Sequence, residues 1–194
     1  MARRREFDED EVIDRAMEAF WASGFRATSP QRLLEATGLS RSSLYATFES
    51  KEGLFRAALD RYLQSSVRRT RKALAEGTLR EGLERMYDGM ITHLTTTADY
   101  RSCLMCTTAL EVPDSERSEE GSRILRDGQR ALRGVFEERF SRAKAEGQLR
   151  DDADPAELAW FIFNANVGLQ VSARLERNPQ KLRRVAQRVI DTIC

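Results

Sequence analysis

The chain has 194 residues, 41% hydrophobic and 32% charged, a balance that fits one or two compact soluble domains and excludes disorder of the chain as a whole. Lys and Arg total 32 against 31 for Asp and Glu, so the formal charge of +1 gives no global pull toward nucleic acid or anionic lipid. Any basic surface must be local. Cys103, Cys106 and Cys194 cannot all pair within one chain, and Arg3 to Arg5 lead into acidic residues rather than an apolar signal core; both features point to a cytoplasmic protein with reduced thiols. The longest apolar-rich stretch, Leu158 to Val171, is interrupted by Asn164, Asn166, Gly168 and Gln170 and falls short of the roughly 18 apolar residues of a membrane span.

Period-two alternation is nowhere sustained, and none of the four prolines breaks a long 3.6-residue pattern, so the fold class expected is all-α. Asp8 and Glu11 form a capping-box-like pair, after which Val12, Ile13, Ala16, Met17, Phe20 and Trp21 follow one helical face until Gly24. Thr28 or Ser29 can cap a short second helix with Pro30 in its first turn and Gly38 past its end. Ser40 caps a third through Tyr45 and Phe48, and Ser50 a fourth with Leu54, Phe55, Ala58, Leu59, Tyr62 and Leu63 as its buried stripe. Thr78 and Glu81 start a fifth as a capping box. A short helix around Cys103 to Leu110 follows, then a long one from about Ser115 to Glu146. Asp154-Pro155 and Asn178-Pro179 each set a cap before a first-turn proline, opening the last two helices.

The segment Thr28 to Leu54 carries the function signal: a short helix, a tight turn at Thr37-Gly38-Leu39-Ser40, and a second short helix, which is the helix-turn-helix pattern. Gly38 can take the left-handed conformation that ends the first helix, Leu39 can plug the angle, and Ser40 can cap the second. Arg41, Ser42 and Ser43 then occupy the turn whose side chains reach base edges in a major groove, while Leu44 and Phe48 face inward. Between Gly24 and Ala75, ten basic residues face four acidic ones, a local excess that the acidic start of the first helix hides in the total. Arg3, Arg4 and Arg5 could form an arm on phosphate or in a minor groove.

Ala19-Phe20, Gly24-Phe25, Thr28, Ala36, Gly38-Leu39-Ser40, Leu44-Tyr45, Phe48 and Ser50-Lys51-Glu52-Gly53-Leu54 together resemble, without a gap, the TetR-like transcriptional repressors. The resemblance implies a nine-helix subunit, here residues 1–50 as the DNA-binding domain and 51–194 as a regulatory domain that dimerises through the last two helices. It also implies double-stranded DNA with a palindromic operator as partner and a small-molecule effector that releases the repressor. By the same resemblance Thr28 sits at the phosphate-facing start of the second helix, Tyr45 and Lys51 lie against phosphates, and Arg41, Ser42, Ser43 and Thr47 lie near bases. Tyr45 has a hydroxyl on a rigid ring, and Lys51 an ammonium at a helix N-terminus, which suits a phosphate. Pro30 and Ala46-Thr47 depart from the family's usual residues, leaving base preference open.

In the second half, Leu158 to Phe163 is apolar on every side of its helix, so one face is expected in its own core and the other against a symmetry mate, together with the amphipathic last helix. Met86, Met90, His93, Cys106, Trp160 and Phe161 are expected to line an effector cavity, with Cys103 beside them. Ser102-Cys103-Leu104 also resembles the Gly-Cys-Leu motif of TetR-like regulators among which are sensors of electrophiles, oxidants or copper. That keeps open a thiol- or copper-responsive alternative through Cys103, Met105 and Cys106. A lone C-x-x-C supplies neither the four ligands of a zinc site nor the βαβ setting of a redox motif, so no metal or cofactor is expected. No oriented nucleophile and base, phosphate loop or paired carboxylates stand out, which argues against an enzyme; a helical adaptor without DNA binding is the remaining alternative.

Overall fold

The structure, a computed structural model, describes residues 7–96, 103–112 and 118–194. Among these there are nine helices and no strand: α1 Glu9–Ala27, α2 Pro30–Thr37, α3 Arg41–Phe48, α4 Lys51–Leu74, α5 Leu79–Thr96, α6 Leu104–Glu111, α7 Glu119–Ala145, α8 Pro155–Ser172 and α9 Pro179–Ile193. The arm expected at Arg3 to Arg5 and Ser102 of the Ser-Cys-Leu motif lie outside the described residues, as does the expected start of α7 at Ser115.

Local chemistry accounts for most helix ends. The Asp8 carboxylate accepts from the N–H groups of Asp10 and Glu11, at 2.9 and 3.4 Å; the Asp154 carboxylate and the Asn178 side-chain amide oxygen do the same in α8 and α9, each of these two followed by proline at the first helical position. Thr78 and Glu81 form a reciprocal box: the Thr78 N–H donates to Glu81 at 2.8 Å, and the Glu81 N–H to the Thr78 hydroxyl at 3.3 Å. The first of these bonds, the larger cause, holds the Glu81 carboxyl below its ordinary range.

The chain divides into two compact units, Met1–Leu63 with Leu104–Leu125 and Gln64–Cys103 with Arg126–Cys194. The division expected after residue 50 follows the sequence motif; packing instead keeps the first half of α4, all of α6 and the start of α7 with α1 to α3. In the first unit α6 packs on α1. Its core contains Ala16, Phe20, Leu33, Leu44, Leu54, Phe55, Ala58 and Leu59, with the Phe20 and Phe55 rings edge to face at 4.8 Å.

The second unit is built on α5, α8 and α9, with Leu83, Ile91, Phe140, Ile162 and Ile190 among its fully buried side chains. Ion pairs run across α5 and α9, from Arg80 to Asp191 at 2.9 Å and from Arg183 to Asp88 at 2.9 Å. Both lie near the surface and add register more than stability. The Arg139 side chain is only 4% exposed and donates to the carbonyls of Leu74 and Gly77, both at 3.2 Å, closing the C-terminal end of α4. No described helix is long and apolar enough to cross a membrane.

Candidate nucleic-acid interface

The turn between α2 and α3 is built as its residue types require. Gly38 takes φ 71° and ψ 10°, the left-handed region, and its N–H donates to the Leu34 carbonyl. Leu39 is buried in the angle. Ser40 caps α3 by accepting from the Ser43 N–H at 3.1 Å, and its hydroxyl is also within 3.0 Å of the Ser42 hydroxyl and 2.9 Å of that of Ser43. Leu44 and Phe48 point into the core, which leaves Arg41, Ser42, Tyr45 and Ala46 on the solvent face of α3, with Ser43 and Thr47 half-buried at its margins. Tyr45 is 41% exposed, unusually open for an aromatic ring.

The α3–α4 junction turns more sharply than the sequence suggests. Glu49 has φ 65°, a left-handed conformation that non-glycine residues adopt reluctantly, and the Ser50 N–H folds back onto the Phe48 carbonyl at 2.6 Å. Ser50 then caps α4 through the Gly53 N–H at 3.1 Å. Lys51, the first residue of α4, shares a shallow apolar depression with Pro30, Leu33, Leu34, Arg41, Leu44 and Tyr45. Its ammonium lies 4.4 Å from the centre of the Phe25 ring. Burial lowers the Lys51 pKa, and the negative charges of Glu52 and Glu111 oppose that.

Thr28 departs from its expected place. It is fully buried, and its hydroxyl donates to the Gly24 carbonyl at 2.6 Å, so it ties the kinked end of α1 rather than facing phosphate. Exposed Ser29, accepting from the Arg32 N–H at 3.2 Å, is the true cap of α2 and stands where Thr28 was expected. The basic window is also partly consumed internally. Arg61 pairs with Asp10 and Asp14, Arg56 with Glu120 at 2.8 Å, and Arg71 with Glu138 at 3.1 Å. Among the described residues Arg41 has no carboxylate partner.

In the second unit, Met86 is buried in the core and Met90 and His93 are half-buried, all on α5. Trp160 and Phe161 lie instead on an open face of α8, 44% and 42% exposed, and the Arg133 guanidinium stacks over the Trp160 ring at 4.0 Å. Val171 and Val185 are also exposed, on α8 and α9. Cys103 is buried just before α6 and falls in the second unit; Cys106 is half-buried in α6 and falls in the first. No cysteine is in a disulfide, and no three described His, Cys, Asp or Glu side chains are grouped to hold a metal. Tyr87 shares the apolar face of α5 with Met86 and is not among the expected site residues: its buried hydroxyl has no hydrogen-bond partner among the described residues, and burial raises its pKa well above the ordinary phenol value.

An exposed, polar helix N-terminus held by a glycine turn against a second short helix, within an all-helical chain, defines a helix-turn-helix DNA-binding protein. The model of the tetR family of bacterial regulatory proteins matches residues 12–58, and that of the tetracyclin repressor-like C-terminal domain matches residues 80–189. The chain belongs to this family of transcriptional regulators. It is 31% identical over 189 residues to the HTH-type transcriptional repressor ComR of Escherichia coli K12, covering 95% of this chain and 88% of that protein. The uncharacterized HTH-type transcriptional regulator YezE of Bacillus subtilis 168 is 29% identical over 185 residues, 94% of each chain. Among solved structures, a cysteine mutant of the TetR-family regulator CifR, complexed with 26-bp double-strand operator DNA, superposes with a TM-score of 0.84 at 35% identity, over 97% of this chain and 98% of that one.

Proposed function

We propose that the protein is a homodimeric repressor that reads a palindromic operator through α3 and is released from it by a small organic effector. The observation that carries this reading is the solvent face of α3, where Arg41, Ser42 and Tyr45 are exposed while Leu44 and Phe48 anchor the helix from behind. Arg41, Ser42, Ser43 and Thr47 address base edges; Tyr45, Lys51 and the Ser29 end of α2 address phosphates. ComR is named a repressor, and the CifR mutant was solved on operator DNA; both support the assignment.

Dimerisation uses the exposed apolar side chains Trp160, Phe161, Val171 and Val185 of α8 and α9. Two-fold symmetry then sets the operator half-sites about one helical turn apart, or a multiple of it. The effector binds within the second unit near Met86, Met90 and His93, and the Tyr87 hydroxyl, without a partner among the described residues, gives an organic ligand a hydrogen-bonding group. Release is a population shift: the effector favours the conformation whose two recognition helices are misplaced for successive grooves.

Selection of bound duplexes from a random library, with enriched sites retitrated across salt concentrations, tests the reading. An enriched palindrome with steep salt dependence is expected; no enrichment at low salt by folded dimer overturns it in favour of a helical adaptor. On the enriched site, Lys51→Ala should weaken binding uniformly across sequences and reduce the salt slope by about one unit. Arg41→Ala should cost about 1–3 kcal/mol and relax base preference at one position in each half-site, which reselection with the variant would show.

A further inference from the structure

The kink in α1 creates a need that local sequence does not meet. Gly24 leaves the helical region at φ 81° and ψ 171°, so Phe25 and Arg26 open a new final turn with N–H groups that no preceding helical carbonyl can accept. Both are taken by one carboxylate from the end of α6: Phe25 N–H donates to Glu111 Oε2 at 2.9 Å, and Arg26 N–H to Glu111 Oε1 at 2.6 Å. These are charge-assisted bonds spanning 86 and 85 residues of chain. The carboxylate fits only because residue 24 is glycine, since a Cβ there would lie 2.5 Å from Oε2 and 3.0 Å from Cδ of Glu111.

What the clamp holds is the platform of the phosphate lysine. The Phe25 ring packs 4.8 Å from that of Phe55 and 6.3 Å from that of Phe20, and the Lys51 ammonium rests over it. Fixing the Phe25 backbone therefore fixes the surface against which the Lys51 side chain is ordered. We propose that Glu111 is a positioning residue for DNA binding, clamping the Phe25 and Arg26 amides so that the Phe25 ring holds Lys51 toward phosphate. This rests on the operator reading above and on Lys51 as a phosphate contact. Glu111 itself does not touch DNA. Its negative charge also favours the ammonium form of Lys51 against the burial that opposes it.

The test combines amide exchange with a double-mutant cycle on the full-length protein. In Glu111→Ala, hydrogen exchange at the Phe25 and Arg26 amides should accelerate at least about tenfold while the α5 and α9 amides stay protected. Operator affinity should fall about tenfold in the parent background but less than about twofold in the Lys51→Ala background, because the effect is routed through that side chain. Glu111→Gln, which keeps one acceptor oxygen and the side-chain volume, should give an intermediate result and serves if the alanine variant folds poorly. Unchanged exchange at both amides overturns the inference, as does an affinity loss of full size without Lys51. A parent protein that enriches no duplex would overturn the operator reading and this inference with it, and the exchange data would still show whether the clamp exists.

Discussion

Gly53→Ala is expected to destabilise the protein by about 3 kcal/mol or more and to abolish operator binding at the concentrations that saturate the parent. A Cβ at position 53 would fall well inside the van der Waals radius of the Phe48 carbonyl oxygen and 3.1 Å from its carbonyl carbon. Relief is hard to find because the obstacle is backbone, not the end of a flexible side chain. The Phe48 carbonyl is held by the Ser50 N–H, Glu49 between them already sits at φ 65°, and the Phe48 ring is anchored in the core. The turn must open, and opening it moves Lys51 away from Tyr45 and Arg41, with which it lines one depression. For a chain of this size the stability loss corresponds to a fall in Tm of about 6–12 °C, measurable by circular dichroism, and titration of the operator below that temperature reports the functional loss. A parent-like Tm would show that the junction can relax and would remove Gly53 from the list of residues that shape the interface.

The elements whose formation is decided within a few residues were legible in the sequence. Asp8, Ser40, Ser50, the Thr78-Glu81 pair, Asp154 and Asn178 are caps because their oxygens reach N–H groups two or three positions on, a spacing that sequence displays directly. Gly38 was legible for the same reason. What escaped depends on partners distant in the chain. Nothing near Phe25 shows that a carboxylate 86 positions later, that of Glu111, completes the kink. Thr28 had two local roles available, cap or contact, and the bend at Gly24 turned its hydroxyl inward to a third. For α8, a helix apolar on all sides states that two faces are covered without stating by what. Trp160 and Phe161 therefore read equally well as cavity wall or outer face until their exposure was seen.

Arg139→Met should lower stability by roughly 2–4 kcal/mol yet leave the operator affinity and salt slope of the folded protein unchanged. The guanidinium is a buried cation whose hydrogen bonds go to backbone carbonyls: Nε to Leu74 and Nη2 to Gly77, with Glu146 4.0 Å from Nη1 as its nearest counter-charge. Burial pushes its pKa below the ordinary arginine value, neighbouring Arg142 adds to that, and Glu146 opposes it. Methionine preserves much of the apolar stem but none of the donors, so the Gly77 carbonyl loses its bond, while Leu74 retains a longer one from Arg142 at 3.4 Å. The carbonyl of buried Leu74, at the negative end of α4, is then held by that longer bond in place of the Arg139 one, a weakening that costs more than loss of the surface pair of Arg71 with Glu138 would. Thermal unfolding should therefore show Tm lower by about 5–15 °C. Operator titration separates this effect from that of Gly53, because Arg41, Tyr45 and Lys51 belong to the other compact unit. A selective loss of DNA affinity at unchanged Tm would instead mean that the end of α4 is part of the signal that reaches the operator.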